Sequence, residues 1–176
     1  MSEPAVIATP IKRMSVVPET TPAPAPILIR RATQFDTTFL LAMLYEMHAE
    51  TPLDMAPINP NKTTERIVRA IAQGFVLIAE DADTKQIAGS VAIEESMDWW
   101  GDRKFFGDLW YYVKQAHRRT RAAVQLIDEL KSALDEHAPG HVLRMGVFYG
   151  KDIDRKDKFF IRHGFTKAGC YFVRGM

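Results

Sequence analysis

The chain has 176 residues, close to half of them apolar, and its 23 Lys and Arg residues are nearly balanced by 22 Asp and Glu residues. This size predicts a single compact domain, and a net charge of +1 argues against binding to nucleic acid, which usually requires a strong basic excess. The one cysteine excludes an internal disulfide, and no apolar run approaches the roughly 20 residues of a membrane span, so we expect a cytoplasmic protein with no membrane partner.

Residues 1–26 carry most of the prolines, spaced by Ala, Thr and Val, with neither helical nor strand periodicity. This composition is typical of a flexible, disordered tail. We therefore place the folded domain at residues 27–176.

The first half of the domain is predicted to run strand, helix, helix and hairpin. A strand ILIRRAT begins at Ile27, and Thr33 and Asp36 have capping-box spacing before a helix. A second helix is expected from Thr63 to Gly74, followed by the paired strands FVLIAED and QIAGSVAIEES. The apolar stripe of the first helix is Phe39, Leu40, Met43, Leu44 and Met47.

The second half alternates strands and helices. The strand GDLWYYV ends at Val113, and a long amphipathic helix is expected from Thr120 to His137. HVLRMGVFY is predicted as a strand, DRKDKFFIRHG as a short helix and FTKAGCYFVRG as a final strand. This order of elements indicates a mixed α/β sandwich.

Three arginines, Arg118, Arg119 and Arg121, lie at the start of the longest predicted helix. The first N–H groups of a helix have no intrahelical partner, and the helix dipole favours negative charge at that end. Cations there are unfavourable by about 0.3 to 1 kcal/mol each, so the pattern favours a bound anion that offsets the cost. We interpret the stretch as a phosphate site, with a merely solvated basic helix start as the alternative.

The same stretch resembles the acetyl-CoA loop of the GCN5-related N-acetyltransferase (GNAT) family. That loop reads roughly V-x-P-x-x-R-x-x-G-x-G/A, and Val113, Arg118 and Ala123 match it. Gln115 replaces the proline and Arg121 replaces a glycine. Arginine at this position can keep a helical φ and offer its guanidinium to a phosphate, so we expect CoA to bind with a shifted pyrophosphate.

A second resemblance lies near the C-terminus, where FFIRHGF is similar to the family segment F-Y-x-x-x-G-F with Phe160 in the tyrosine position. The resemblance implies an α/β fold with a mixed, mostly antiparallel sheet flanked by helices. It also implies transfer of an acetyl group from acetyl-CoA to a primary amine of a small molecule or protein, directly within a ternary complex and without a metal. The residues implied to bind CoA are Tyr111, Tyr112, Val113, Arg118, Arg119, Thr120, Arg121, Ala122 and Ala123.

Proton transfer needs separate candidates, since Phe160 has no proton to give where many relatives use tyrosine. Tyr149, at the end of a predicted strand, is our candidate acid. Asp108 is our candidate base, because it alternates with Trp110 and Tyr112 on one strand face near the expected cleft. Glu94 and Glu95 are rival bases, and ordered water is a further alternative.

The acceptor stays open, because in this fold its site is built from variable loops, here expected at residues 51–62 and 96–106. Four aromatic residues in or beside the second loop either line an acceptor pocket, form a homodimer contact or close the core: Trp99, Trp100, Phe105 and Phe106. Two other functions are compatible with the sequence. One is an acyl-CoA-binding protein of the same fold that has lost its chemistry, and the other is a phosphate- or nucleic-acid-binding module that uses the arginine cluster.

Overall fold

A five-stranded sheet forms the centre of the protein, in a computed structural model that describes residues 26–51, 56–146 and 153–169. Helices cover both faces of the sheet. In chain order the elements are β1 Ile27–Arg31, α1 Thr37–Ala49, α2 Pro60–Ala72, β2 Val76–Asp81, β3 Ile87–Met97, β4 Lys104–Val113, α3 Ala122–His137, β5 Val142–Arg144 and α4 Ile153–Arg162.

The strands lie in chain order across the sheet, from β1 to β5. The first four pair antiparallel, including the predicted β2–β3 hairpin, whereas β5 pairs parallel with β4 after the crossover through α3. The mixed, mostly antiparallel sheet flanked by helices is therefore confirmed. No helix in the described ranges is long and apolar enough to cross a membrane.

Two apolar cores lie on opposite faces of this sheet. On one face α1 and α2 bury Leu40, Met43 and Ile67 against the sheet residues Trp110 and Tyr112. On the other face α3 and α4 pack against the sheet through Ala122, Leu126, Ile127, Leu130, Leu134 and Phe160. Both cores follow the period-two alternation of β2, whose side chains point to the two faces in turn.

Two helices begin at residues other than those predicted. Helix α2 begins at Pro60 rather than Thr63, because the Asn59 side chain accepts a hydrogen bond from the Lys62 N–H at 3.1 Å and proline suits the first helical position. Helix α3 begins at Ala122 rather than Thr120. The apolar stripe of α1 was also predicted one residue too wide, since Phe39 is 64% exposed.

The last two predicted strands differ from the prediction within the described residues. The strand β5 is Val142–Arg144, and residues 165–169 are not in a strand, contrary to the prediction. Three predictions fall outside the described residues: residues 1–25 of the tail predicted at 1–26, Tyr149, and the part of the final predicted strand from Cys170.

A buried ion pair fixes the connection between β1 and α1. Asp36, only 6% exposed, accepts two hydrogen bonds from the Arg30 guanidinium, at 2.8 and 2.9 Å, and one from the Thr33 N–H at 2.8 Å. The hydrogen bonds from Arg30 outweigh burial and lower the pKa of Asp36 from 3.8 to about 2.

Asp36→Asn is expected to lower the free energy of unfolding at neutral pH by about 1 to 2 kcal/mol. A carboxyl group whose pKa is lowered on folding adds stability above its unfolded pKa and loses it as the pH falls through the folded pKa. The difference between wild type and variant should therefore shrink as the pH falls from 3.8 to about 2, in urea unfolding at several pH values. Asp135→Asn, at an exposed position on α3, is the control, and a difference that stays constant over this window would contradict the role of Asp36.

Candidate active site

The main-chain pairing between β4 and β5 ends in the middle of β4. Strand β5 pairs only with Phe105, Phe106 and Gly107, although β4 continues to Val113. Beyond that point the carboxylate of Asp108 takes the place of a strand contact, because its Oδ1 accepts a hydrogen bond from the Gly146 N–H at 2.7 Å. Within the described part of the chain, the two parallel strands thus diverge at Asp108.

A β-bulge lies directly after this point. Ala92 of β3 is opposite Trp110, and Ile93 is opposite Asp108, so Leu109 is the extra residue on β4. Both Leu109 and Trp110 pack toward α1 and α2. The predicted alternation of Asp108 with Trp110 and Tyr112 on one face is therefore wrong, because the bulge shifts the register by one residue.

The pKa of Asp108 suits a general base, because the carboxyl group is largely buried. Burial raises its pKa above the ordinary value, and the hydrogen bond from Gly146 offsets only part of that effect. The rival carboxylates are engaged in ion pairs: Glu94 with Arg66, and Glu95 with Lys104 at 2.6 Å. Of these three acids, Asp108 is the one at the strand divergence.

The loop between β4 and α3 has the donors of an anion site. The Ala122 N–H donates to Thr120 Oγ1 at 3.2 Å, and the Gln125 N–H donates to the Arg121 carbonyl at 2.9 Å. Between them, the N–H groups of Ala123 and Val124 have no acceptor within the described parts of the chain. Arg121 has a φ of −84°, so arginine replaces the family glycine here without backbone strain.

The end of α1 supplies an anion to this loop. The Arg118 guanidinium forms an ion pair with Glu50, and its Nε donates to the Val113 carbonyl at 3.1 Å. Tyr112 donates its phenolic hydrogen to the other oxygen of the Glu50 carboxylate at 2.6 Å, and Arg118 lies over the Tyr112 ring. Burial raises the pKa of Glu50, but the hydrogen bonds from Tyr112 and Arg118 outweigh it, so the pKa lies below its ordinary value.

A second ion pair repeats the pattern one helical turn earlier, between Glu46 and Lys114 at 2.9 Å. Acids near a helix C-terminus oppose the helix dipole, and these two acids are paired with cations that precede α3. Arg118 therefore does not need a phosphate to offset its charge. Arg119 and Arg121 are exposed and have no ion-pair partner within the described ranges, so the argument for a bound anion rests on them and on the main-chain N–H groups.

Glu50→Ala is expected to lower the free energy of unfolding by about 1 to 2 kcal/mol, because it removes the partner of both Tyr112 and Arg118. Glu50→Gln should cost about half as much, because its side-chain oxygen still accepts from Tyr112. The control is Glu46→Ala, which removes only a surface ion pair worth about 0 to 1 kcal/mol. Urea unfolding checks the series, and equal costs for Glu50→Ala and Glu46→Ala would contradict this role of Glu50.

Three of the residues implied to bind CoA, Tyr111, Tyr112 and Val113, are on β4, between the two helical layers. The Tyr111 hydroxyl donates to the Ala123 carbonyl at 2.7 Å and so connects β4 with the first turn of α3. The Tyr112 side chain points to the opposite face, toward Glu50. The Val113 carbonyl already accepts from Arg118, and its second lone pair can accept another donor.

Phe160 provides no hydroxyl at the position where the family has a tyrosine. Its ring is buried on α4, with its centroid 5.7 Å from the Tyr111 ring and 5.4 Å from the Phe159 ring. Phe160 is thus part of the core beneath α3. Tyr149, the candidate acid, belongs to the part of the chain that the structure does not describe, so its role stays a prediction.

A cavity of about 480 Å³ lies on the other side of β4, between α1 and α2. Its floor is the bulge, formed by Leu109 and Trp110. The side chains around it come from the last turns of α1 and from the pocket-facing side of α2, and they include Leu44, Met47, His48, Lys62, Arg66 and Arg69.

The aromatic residues of the β3–β4 connection do not line this cavity. Trp99 and Trp100 are 89% and 68% exposed, so they do not close the core, whereas Phe106 is 2% exposed and does. A homodimer contact at the two tryptophans stays a prediction. The described residues contain no cluster of His, Cys, Asp and Glu that could hold a metal ion.

Sequence comparison alone finds no relatives: no protein-family model matches the chain, and no curated protein is similar to it. Solved structures are similar in fold. The first is described as a predicted acetyltransferase with acetyl-CoA from Clostridium acetobutylicum, with a TM-score of 0.66, 15% identity, and coverage of 85% of this chain and 96% of that one.

Two further solved structures support the same assignment of fold. Glucosamine-6-phosphate N-acetyltransferase from Arabidopsis thaliana has a TM-score of 0.63 at 10% identity, covering 85% of this chain and 98% of the other. A GNAT family acetyltransferase of Staphylococcus aureus has a TM-score of 0.56 at 13% identity, covering 85% and 98%. The chain has the GNAT fold. The resemblance that the loop and the C-terminal segment indicate is thus confirmed at the level of the fold.

Sequence reasoning missed the residues around this GNAT-fold site that depend on long-range contacts. Glu46 and Glu50 were not predicted, although two acids four residues apart at the end of an amphipathic helix are a visible departure from the dipole rule. The cavity on the α1–α2 face was also missed, because it depends on how the two helices pack.

Proposed function

We propose that the protein is an N-acetyltransferase that moves an acetyl group from acetyl-CoA to a primary amine by direct transfer in a ternary complex. The observation that carries the proposal is the divergence of β4 from β5 at Asp108, with a bulge beside it and a helix N-terminus at the far end of β4. Bound acetyl-CoA would supply the reactive thioester. The residues of the chain have to hold the donor, orient it and accept a proton.

The hydrogen-bond donors at the start of α3 fit a nucleotide diphosphate. The N–H groups of Ala123 and Val124 point along the helix start, where the dipole also favours an anion. Arg119 and Arg121 are exposed beside them and can add charge-assisted hydrogen bonds. The loop is held in place by Glu50, which fixes Arg118, and by Tyr111, which holds the Ala123 carbonyl.

In the proposed complex the extended remainder of the donor runs beside β4. Its amide groups would pair with main-chain groups of Tyr111, Tyr112 and Val113, as an added strand does. The bulge breaks regular pairing with β3 at Leu109, and a main-chain N–H there would stabilise charge on a carbonyl oxygen during transfer.

Asp108 is the proposed base. In the proposed step the bound ammonium first gives one proton to the Asp108 carboxylate. The nitrogen then forms a bond to the acetyl carbon, the bond from that carbon to sulfur breaks, and the nitrogen gives its second proton to solvent. The thiolate then takes a proton from solvent, unless Tyr149 provides it. A raised pKa makes Asp108 a stronger base than an exposed carboxylate, because the affinity for a proton rises with the pKa.

Incubation with acetyl-CoA and a panel of primary amines and peptides, followed by mass spectrometry, tests the proposal. The expected result is a gain of one acetyl group on a primary amine together with release of free CoA thiol. Binding of acetyl-CoA without turnover over the whole panel would contradict the proposal. It would favour the alternative that the chemistry has been lost, which the buried Phe160 in the family tyrosine position supports. Binding of oligonucleotides instead of CoA would favour the nucleic-acid module.

A further inference from the structure

We propose that the cavity between α1 and α2 binds the acceptor, and that this acceptor is a primary amine with an apolar body and an anionic group, a carboxylate or a phosphate. The inference rests on the proposed function, which it deepens by naming the class of substrate. Three features of the cavity carry it: the position of its floor, the nature of its walls and the charges at its rim.

The floor of the cavity is the bulge itself. Leu109 and Trp110 line the cavity, and Asp108 is the preceding residue on β4. A molecule in the cavity therefore contacts β4 at the bulge, on the side of the sheet opposite α3. Asp108 does not line the cavity, so the amino group of the acceptor is placed at this end by the proposed transfer at the bulge and not by a contact with that carboxylate.

The inner walls are apolar. Leu44 and Met47 from α1 and Ile67 from α2 surround the floor, and the volume of about 480 Å³ is in the range that binds small molecules. Apolar walls favour an apolar body, because burial of apolar surface is the main source of favourable free energy at such sites.

The rim has an excess of positive charge. Lys62, Arg66 and Arg69 of α2 border the cavity, together with a single acid, Glu65. Arg66 is offset by its ion pair with Glu94 on β3, whereas Lys62 and Arg69 have no ion-pair partner within residues 26–51, 56–146 and 153–169. A substrate that carries only positive charge is repelled by this rim, and one with an anionic group is attracted.

The cations without an ion-pair partner thus lie on α2, whereas the bulge lies on β4. This placement orients an acceptor that carries both an amino group and an anion, with the amino group at the bulge and the anion toward Lys62 and Arg69. A polyamine or another amine without an anionic group gains no such orientation.

Three probes that share one apolar body separate the possibilities: 2-phenylethylamine, 4-(2-aminoethyl)benzoic acid and 4-(2-aminoethyl)phenylphosphonic acid, in which the anionic group lies at the end of the ring opposite the amine. Their binding to the full chain is measured by calorimetry with CoA present, and their acetylation by the release of CoA thiol. We expect the better of the two anionic probes to exceed 2-phenylethylamine by about tenfold in affinity and in kcat/KM. Which of the two is better tells whether the anion is a carboxylate or a phosphate.

The variant Lys62→Gln/Arg69→Gln should reduce this preference to about threefold or less, because the interaction of the rim with the anion is removed. Glu65→Gln removes the acid of the rim and should increase the preference. Arg155→Gln on α4 removes an exposed cation far from the cavity and should leave the preference unchanged.

The inference would be overturned by any of three results. Both anionic probes could bind no more tightly than 2-phenylethylamine, the preference for the anionic probes could persist in the double variant, or none of the three probes could bind. These outcomes are distinct from failure of the proposed function. Binding of an anionic probe without acetylation would support the substrate class and contradict the transferase activity. Preferred acetylation of 2-phenylethylamine would support the transferase activity and contradict the substrate class.

Discussion

Replacement of Asp108 by asparagine is expected to lower kcat/KM for acetyl transfer by a factor of about 100 to 10,000, the usual range for loss of a general base. Asparagine has nearly the same shape, and its side-chain oxygen can still accept the hydrogen bond from the Gly146 N–H, so the strand divergence should persist. The variant therefore removes the proton acceptor without changing the hydrogen bond that holds the two strands in place. Steady-state kinetics with saturating acetyl-CoA is the measurement.

The stability of the same variant should change in the opposite direction. Burial raises the pKa of Asp108, so its charged form is disfavoured in the folded protein and costs stability at pH values above the folded pKa. Asparagine carries no charge, so the variant should be as stable as the wild type at neutral pH, or slightly more stable. Glu95→Gln, which removes only a surface ion pair with Lys104, serves as the control. An unchanged kcat/KM in Asp108→Asn would show that water takes the proton.

Arg121→Glu is expected to weaken acetyl-CoA binding by about 10- to 100-fold, because a charge-assisted hydrogen bond is replaced by repulsion of the diphosphate. The same change should raise the free energy of unfolding of the free protein by about 0.5 to 1 kcal/mol, because an acid at the start of α3 complements the helix dipole. Calorimetry with acetyl-CoA and urea unfolding without it measure the two effects.

Arg155→Glu provides the matched control for Arg121→Glu. Arg155 is exposed in the first turn of α4, so the same charge reversal should give a similar gain in stability with no effect on acetyl-CoA. If both variants weaken acetyl-CoA binding equally, the effect comes from net charge. If neither does, Arg121 does not contact the donor.

Much of the fold could be predicted because its signals are local. The apolar residues of α3 recur at helical spacing, and the turn between β2 and β3 separates two compact apolar runs. The start of α2 could also have been predicted from the sequence, because Asn59 is a helix-capping residue and Pro60 suits the first position of a helix. The helix was predicted to begin at Thr63 because the prolines of residues 51–61 indicated a loop.

The site was less predictable because its decisive features are not local. A β-bulge inserts one residue into a strand, and no residue type in the sequence indicates where it lies. The side of the sheet that Asp108 faces could therefore not be derived from the alternation of side chains along β4. The ion pair between Glu50 and Arg118 joins residues 68 positions apart. Arg118 does have an anion beside it, but that anion is the Glu50 carboxylate of the chain itself and not a bound phosphate.

The most direct test of the central claim compares two donors in calorimetry on the wild-type protein: acetyl-CoA and S-acetylpantetheine, which lacks the nucleotide and both of its bridging phosphates. If the start of α3 and its arginines hold the diphosphate, acetyl-CoA should bind about 100-fold more tightly or better. Equal affinities, or no binding of acetyl-CoA at millimolar concentration, would contradict the claim that this helix start is a donor site.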